Sequence, residues 1–485
     1  MKYILGKEVS RYKKNIEKLL EKNDCDFPVS LIKRVNLDEY LEKVRTCGKM
    51  IISLNEYDCV TGCVFYYSNN LETHVGFITL LCVDRDHRNH GIASQLLNHA
   101  FADMLNSGMK YCDLSTNIEN KKSISLYKKR GFKEVRIKND EIFFRKRLEM
   151  NILLTSVGRR GYLVQYFKEA LEGNGKVFVS NSDANSPAFK YADEYVVSPL
   201  IYDDNYIDFL LKYCIEHDIK LLVSLFDIDL YVLASNKDKF EEIGVTVVVS
   251  DKNFIEVCND KWLTYNYLIK NNIPAPKTFL SIEDVRRALD DKDITFPLIV
   301  KPRWGMGSLE IYTADNLDEL DIFYKKIKRN IEKSYLKYES KRDKNNCVII
   351  QEKIIGEEYG VDIINDLNGK YRNTIIRKKI GMRAGETDAA EIIENKIIYR
   401  MASKLSSVTK HIGNLDIDIL SDGKDYYILE MNARFGGGYP FSHLAGVNLP
   451  LALIKWASNE EIENSLLDAK LGVIGQKDIQ IIKIN

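Results

Sequence analysis

Apolar residues follow two different rhythms along the chain, and the rhythm changes near Met150. Up to that point apolar and polar positions alternate, as in EIFFRKRLEM, the period expected of half-buried strands. Beyond it, NILLTSVGRRGYLVQYF reads as a buried strand, a glycine-containing turn and an amphipathic helix. The pattern predicts a strand over 151–157, a helix over 161–172 and a strand over 176–181. After a loop containing proline it predicts a helix near 204–217 and a strand over 220–225. Short buried strands separated by helices indicate a parallel α/β sheet. From Asn259 the reading becomes α+β: a helix over 261–271 ends at a Pro274–Pro276 turn, and strands such as PLIVKP, CVIIQEKI and YYILEMN follow. The stretch 322–346 carries nine Lys/Arg. Its apolar residues Phe323, Ile327, Ile331 and Tyr335 recur every four, which favours an amphipathic helix with a solvated face over nucleic-acid contact. No internal repeat is visible.

Composition narrows the classes. The 485 residues suffice for two to four domains, and 45% hydrophobic with 29% charged residues describes globular rather than disordered chain. Lys+Arg and Asp+Glu both number 70, so no bulk charge attracts nucleic acid or an anionic membrane. No apolar run reaches the roughly 18–20 residues of a membrane-spanning helix, and the apolar stretch in MKYILGKEVSRYKKN is shorter than a secretory signal needs. The nine cysteines are scattered without a CxxC pair; reduced structural thiols and a cytoplasmic enzyme are expected.

Two constellations carry chemistry. In the first, the strand TLLCV (79–83) leads through Asp84–Ser94 into the helix SQLLNHAFADML, with Arg88-x-x-Gly91-x-Ala93 at the turn. Small residues let backbone N–H groups approach a ligand, and the helix N-terminus adds partial positive charge, a combination suited to a pyrophosphate. Further on, Asn120-x-x-Ser123-x-x-Leu126-Tyr127-x-x-x-Gly131-Phe132 puts Ser123, Leu126 and Tyr127 on one helix face, with Gly131 closing the helix. In order and spacing the two resemble motifs A and B of the GNAT acetyltransferases, over residues 1–148. The resemblance implies that backbone groups of Leu81 and Val83 bind the pantetheine arm of acetyl-CoA. The loop Arg88, Asn89, His90, Gly91, Ile92, Ala93 and Ser94 would hold the pyrophosphate, with Asn120 near the arm. Tyr127 matches the family tyrosine that protonates the departing thiolate; its competing reading is a core aromatic under Phe132. Ala93 replaces the commoner glycine. His74, Glu72 and Asp84 are equal candidates for a general base.

The second constellation has no GxxxxGK[ST] and so no Walker-type site. Lys261 opens a helix, and Lys301 ends FPLIVKP just before Arg303-Trp304-Gly305-Met306-Gly307-Ser308. A glycine turn with a hydroxyl can lay donors over phosphates. Glu430 and Asn432, two apart on a strand, project to one face, and Asp418 is expected on the neighbouring strand across SDGKD. Two carboxylates and an amide oxygen are hard ligands suited to Mg²⁺ with bridging phosphates. Arg434, on the same face, suits charge on a transferring phosphoryl.

This series resembles the ATP-grasp superfamily, in the branch of the carbamoyl-phosphate synthase large subunit, from about Asn151 to Leu451. The resemblance implies that Lys261, Lys301, Gly305, Gly307 and Ser308 serve the ATP phosphates, that Glu352 with the backbone of Lys353 to Ile355 reads adenine, and that Glu358 holds the ribose. Asp418, Glu430 and Asn432 would bind magnesium. Ala433 stands in place of the family's usual proline. Near the substrates, Arg377 and Lys378 read equally well as a salt-bridged surface strand, and Arg383, beside a glycine turn, is the better candidate for a carboxylate.

The expected organisation is α/β and α+β multidomain: a GNAT fold over 1–148, a Rossmann-like pre-ATP-grasp domain over 149–259 and an ATP-grasp fold over 260–485, with a lid at about 278–353. The expected function is bifunctional, namely an ATP-dependent carboxylate–amine ligase acting through an acyl phosphate and an acetyl-CoA-dependent N-acetyltransferase. Its partners would be small carboxylates and amines, without nucleic acid or membrane, and a homodimer is compatible with it. The alternative makes the GNAT domain a non-catalytic CoA-binding or docking module.

Overall fold

The computed structural model describes residues 2–305, 309–334, 336–383 and 385–483. Two compact units emerge, one of Met1–Met150 with Leu171–Lys176 and Ile454–Ile462, the other of Asn151–Ala170, Val177–Leu453 and Glu463–Asn485.

In the first unit, β1 (Lys2–Leu5), β2 (Lys49–Leu54), β3 (Val60–Tyr67), β4 (Val75–Val83), β5 (Tyr111–Asn117), β6 (Lys133–Lys138) and β7 (Glu141–Arg147) form one sheet in the order β1-β2-β3-β4-β5-β7-β6. Seven of the eight residues of β3 are buried, because helices cover both faces of the sheet centre. The step from β4 to β5 is parallel and short: Val75–Ile78 pair with Tyr111–Leu114, and beyond Ile78 the two strands part. Residues 79–83 therefore keep β3 on one side and leave their backbone edge towards β5 unpaired.

The second unit begins with a parallel sheet. β8 (Asn151–Thr155), β9 (Val177–Asn181), β10 (Glu194–Val197), β11 (Ile219–Ser224) and β12 (Thr246–Val248) lie in the order β10-β9-β8-β11-β12. All five residues of β8 are buried, as a strand with parallel neighbours on both sides requires. The strand order reverses between β8 and β11, so the loops after these two strands flank a crevice.

The antiparallel part follows. β13 (Thr278–Phe279), β14 (Leu298–Pro302), β15 (Tyr312–Ala314) and β16 (Val348–Glu352) make a four-stranded sheet in the order β13-β16-β14-β15. The helix expected within 322–346 spans Leu317–Lys333 instead, five residues earlier at its start. Asn316 caps it by accepting the Glu319 N–H at 2.9 Å, while Glu319 accepts the Asp315 N–H at 2.8 Å. Ser334 is extended and stops it, and a short helix, Leu336–Ser340, follows. Ile327 and Ile331 are buried as the spacing predicted; Tyr335 lies outside the described residues.

β17 (Glu357–Asn365), β18 (Tyr371–Arg383), β19 (Glu386–Ile393), β20 (Gly413–Ser421), β21 (Tyr426–Asn432) and β22 (Ile474–Gln476) form the last sheet, in the order β21-β20-β17-β18-β19-β22. Its two faces differ sharply. Leu415, Ile417 and Ile419 of β20, with Val361 and Ile363 of β17, enter the core against the helix Lys396–Thr409. The intervening positions, Asp362 on β17 and Asn414, Asp416 and Asp418 on β20, turn to the other face. All nine cysteines are free thiols. Among the described residues no helix is long and apolar enough to cross a membrane.

Candidate functional site

The polar face of the last sheet floors a cavity of about 280 Å³ within the second unit. Asp418 lies directly opposite Glu430 across β20 and β21, as expected, and Asn432 lies opposite Asp416. Asp416 was not anticipated. Strict alternation in Leu415–Ile419 was the available signal, since it puts Asp416 and Asp418 on one face.

Asp416 is held by Arg377 at 3.0 Å and lies 3.7 Å from Arg434. Arg377 is thus not on a surface strand: its side chain is 1% exposed, ion-paired to Asp362 and donating to Ser442 Oγ at 2.8 Å. Lys378, by contrast, is a surface residue paired with Glu357 at 2.5 Å. Glycines make room for the buried charges. A Cβ on Gly438 would meet the Arg377 guanidinium at 2.8 Å, one on Gly360 would meet it at 3.2 Å, and one on Gly436 would lie 2.1 Å from the Asp416 carboxyl carbon. Gly436 and Gly438 are therefore packing requirements of two charged side chains.

Lys379 bridges Glu358 at 2.6 Å and Asp418 at 2.7 Å, so Glu358 and Asp418 share one cation. Among the described residues no cluster of three His, Cys, Asp or Glu side chains is close enough to hold a metal alone. Asp418, Glu430 and Asn432 nonetheless fit Mg²⁺, which is commonly held by one or two carboxylates with phosphate oxygens completing its shell. Lys379 supplies positive charge at Asp418, where the ion would share it.

Lys261 lines the cavity, and Lys301 lies close enough to feel its charge. Lys261, capped by Asp260 at the start of the helix Lys261–Lys270, donates to the Gly305 carbonyl at 2.6 Å. Lys301 donates to Gln351 Oε1 at 2.8 Å. Burial lowers the pKa of both, and the neighbouring Lys261 helps bring Lys301 down to about 8. Among the described residues neither ammonium forms an ion pair. Glu352 ends β16, where its carboxylate accepts the Lys277 N–H at 3.2 Å. Lys353 and Ile355 lie on the exposed loop that joins the two antiparallel sheets, Ile355 being 70% exposed. Gly307 and Ser308 lie outside the described residues.

Arg434 is tied down more than its expected role suggests. Its Nε and Nη2 both reach Asp227 Oδ2 at 2.9 Å. Asp227 follows β11 and Arg160 follows β8, and both line the cavity. Neither was legible in advance, because only the fold brings these loops to β21. Arg383 does not line the cavity: it is 53% exposed and pairs with Asp388 at 3.2 Å.

In the first unit the candidate anion site is a bare helix end. Gly91, with φ of 76°, precedes the helix Ile92–Asn106 and no side chain caps it, so the N–H groups of Ile92, Ala93 and Ser94 are open to a ligand. Asn89 is also left-handed, with φ of 64°, and His90 lies exposed beside it. A Cβ on Gly91 would meet nothing within 4 Å, so the approach is clear. The Arg88 side chain faces away from this end: Nε donates to the Val83 carbonyl at 3.0 Å and Nη2 to Asp26 at 2.7 Å. Leu81 and Val83 lie on the unpaired edge of β4. Asn120 serves as a cap, accepting the Ser123 N–H at 3.1 Å.

Tyr127 packs edge-on against Phe132 at 5.7 Å and is 7% exposed. The Phe132 N–H bonds the Tyr127 carbonyl at 3.0 Å and the Gly131 N–H bonds Lys128 at 3.1 Å, which close the helix around the left-handed Gly131. Burial raises the phenol's pKa. Of the base candidates, His74 Nδ1 contacts the Gly108 carbonyl at 2.8 Å, and Asp84 accepts from Lys22 at 2.8 Å.

A sheet with one parting parallel step, a parallel sheet with a topological switch point, and two antiparallel sheets beside a charged cavity define a multidomain α/β and α+β chain. Residues 16–132 match the acetyltransferase (GNAT) family, residues 152–248 the PylC-like N-terminal domain, and residues 344–474 the ATP-grasp family of the biosynthetic pathway with Ter operon. The chain thus carries a GNAT acetyltransferase domain followed by PylC-like N-terminal and ATP-grasp domains. It is 23% identical over 228 residues to the mitochondrial arginine-specific carbamoyl phosphate synthase large chain of Neurospora crassa, a match covering 42% of this chain and 18% of that one. Biotin carboxylase from Campylobacter jejuni in complex with β,γ-ATP shares its fold at a TM-score of 0.53 and 16% identity, over 66% of this chain and 74% of that one. The L-amino acid ligase from Bacillus licheniformis does so at 0.52 and 18%, over 67% and 79%.

Proposed function

We propose that the chain is a bifunctional enzyme: an ATP-dependent carboxylate–amine ligase joined to an acetyl-CoA-dependent N-acetyltransferase acting on a small amine. The division into domains would fall at 1–148, 149–259 and 260–485. The observation that carries the ligase reading is the convergence on one cavity of Lys261, a carboxylate–amide set on β20 and β21, and Arg434, with the buried Lys301 close enough to feel the charges of Lys261 and Glu430.

In this reading Lys261 and Lys301 hold the ATP phosphates, the loop 353–355 covers adenine and Glu358 takes the ribose. Asp418, Glu430 and Asn432 would hold Mg²⁺, which neutralises phosphate charge. A substrate carboxylate oxygen attacks the γ-phosphorus, ADP departs, and Arg434 lies where charge grows on the transferring group. An amine nitrogen then attacks the acyl phosphate; phosphate leaves, the nitrogen loses a proton and an amide results.

In the GNAT domain, the open edge of β4 would take the pantetheine arm and the bare N-terminus at Gly91 the pyrophosphate. The amine attacks the acetyl carbonyl directly, and Tyr127 returns a proton to the thiolate. The competing reading, a CoA-binding module without turnover, is favoured by the packing of Tyr127 among aromatic rings, where its hydroxyl takes no hydrogen bond among the described residues.

Purified protein with Mg²⁺ and ATP, assayed for ADP release over amino acids and amino sugars, tests the ligase; acetyl transfer to the same amines tests the other half. ADP release that needs no amine would overturn the ligase reading, and acetyl-CoA binding without transfer to any amine would overturn the transferase reading.

A further inference from the structure

We propose that Arg160, not Arg383, receives the substrate's carboxylate. The inference rests on the ligase reading above and adds the residue that selects its acceptor. Arg160 follows β8, and the loop after β11 flanks it, so it stands in the crevice at the switch point of the parallel sheet, a preferred ligand position in open α/β folds.

What singles it out is a charge without a direct ion pair among the described residues. Arg160 Nη1 donates to the Phe435 carbonyl at 3.0 Å, and Arg434 Nη1 donates to the same oxygen at 3.2 Å. Two guanidinium groups are thereby held side by side in a cavity wall. The charge of Arg434 is met by Asp227 at 2.9 Å. Arg160 reaches only the carbonyls of Leu225 and Phe435, and among the described residues no carboxylate lies within ion-pair distance of it. Carbonyl oxygens satisfy its N–H groups but cannot neutralise it. Burial and the neighbouring Arg434 outweigh the more distant attraction of Asp227 and Glu386 and lower its pKa, so the protein itself leaves the guanidinium short of a direct counter-charge.

A planar carboxylate completes such a site, because a guanidinium presents parallel N–H donors that match its two oxygens. Bound there, it also lies beside Arg434, the group assigned to the transferring phosphoryl. Arg383 has neither property, being outside the cavity and already paired with Asp388.

The test measures ADP release by the full chain with Mg-ATP over the proteinogenic L-amino acids, which supply both carboxylate and amine, and over other small carboxylates paired with them, in wild type, Arg160→Met, Arg160→Lys and Arg383→Met. Arg160→Met should raise KM for the active carboxylate by roughly a hundredfold or more, as for loss of one partner from a buried charged pair, with KM for ATP unchanged. Arg160→Lys should recover part of the loss, because it restores the charge without the fork. Arg383→Met should stay within about twofold of wild type, as surface changes do. An unchanged carboxylate KM in Arg160→Met, or an equal rise in its KM for ATP, overturns the inference while leaving the ligase intact. If Arg160→Met does not fold, Arg160→Lys decides: a wild-type carboxylate KM there overturns the proposal. If no carboxylate stimulates ADP release in wild type, the ligase reading fails and the inference falls with it.

Discussion

Binding of Mg-ATP at pH 8 is expected to draw about half a proton per chain from solution, and Lys301 is the group expected to take it. Its ammonium is buried and donates to the neutral Gln351 Oε1 at 2.8 Å, while Lys261 adds like charge nearby. Burial and that neighbour bring its pKa to about 8, so at pH 8 roughly half the free chains carry a neutral Lys301. A triphosphate in contact favours the ammonium and returns the group towards its ordinary value of about 10.4. At pH 6.5 nearly all chains are already protonated, and uptake should fall to a few hundredths of a proton. The sign follows: a lowered lysine pKa in the free protein makes ATP binding weaken as pH rises, by about tenfold between pH 7 and 9. Titration calorimetry in two buffers of different ionisation enthalpy reads the proton number directly. Mg-ATP itself is fully ionised at pH 8 and contributes none, and Lys301→Met should abolish the uptake. An uptake below about a tenth of a proton at pH 8 would mean that Lys301 is already charged in the free protein, and the reading of an unneutralised phosphate site would fail.

Glu430→Gln should abolish ADP release with the fold intact by circular dichroism, and Arg434→Met should slow it by roughly a hundredfold with ATP affinity nearly unchanged; a rise only in KM for ATP would make Arg434 a ground-state binder. Gly436→Ala should lower stability by about 1–3 kcal/mol in denaturant unfolding, because its Cβ would lie 2.1 Å from the Asp416 carboxyl carbon, whereas Gly437→Ala, with its nearest neighbour at 3.7 Å, should be close to neutral. Gly91→Glu should eliminate acetyl-CoA binding measured by calorimetry, since a carboxylate would stand at the bare helix end, and Tyr127→Phe should leave binding intact while slowing acetyl transfer by about a hundredfold. His411 is buried with its pKa lowered to about 4; a neutral ring is what the fold holds, so stability should drop as pH falls from about 6.5 towards 4, by up to roughly 3 kcal/mol, and equilibrium unfolding of His411→Gln should lack that slope.

Local chemistry was legible where residues close in sequence do the work. Glu430 and Asn432 share a face because a strand has period two, and Asp418 is opposite because a tight turn returns the chain. Both sheet classes followed from the hydrophobic rhythm. What stayed hidden depends on distant approach: Arg160 meets the Phe435 carbonyl across 275 positions, and Asp227 reaches Arg434 across 207. Arg377 read equally well as surface or site because nothing local says that Gly360 and Gly438 make room for it. The helix start at Leu317 was readable from the Asn316 and Glu319 cap but was masked by the dense lysines further along. For Tyr127 the packing role is visible, and its hydroxyl is compatible with either chemistry.

The alternation on β20 also bears on how the chain avoids folding wrongly. Moving this strand by one residue against β17 would carry Asp416 and Asp418 into the layer of Val361 and Ile363, and would put Ile417 and Ile419 where the charges belong. Two carboxylates would then be stripped of water without Arg377 or Lys379 to meet them, at a cost of several kcal/mol each. A slipped sheet is thus rejected before it can persist, and the aspartates that face the cavity act during assembly as a proofreading mark for the strand that bears them.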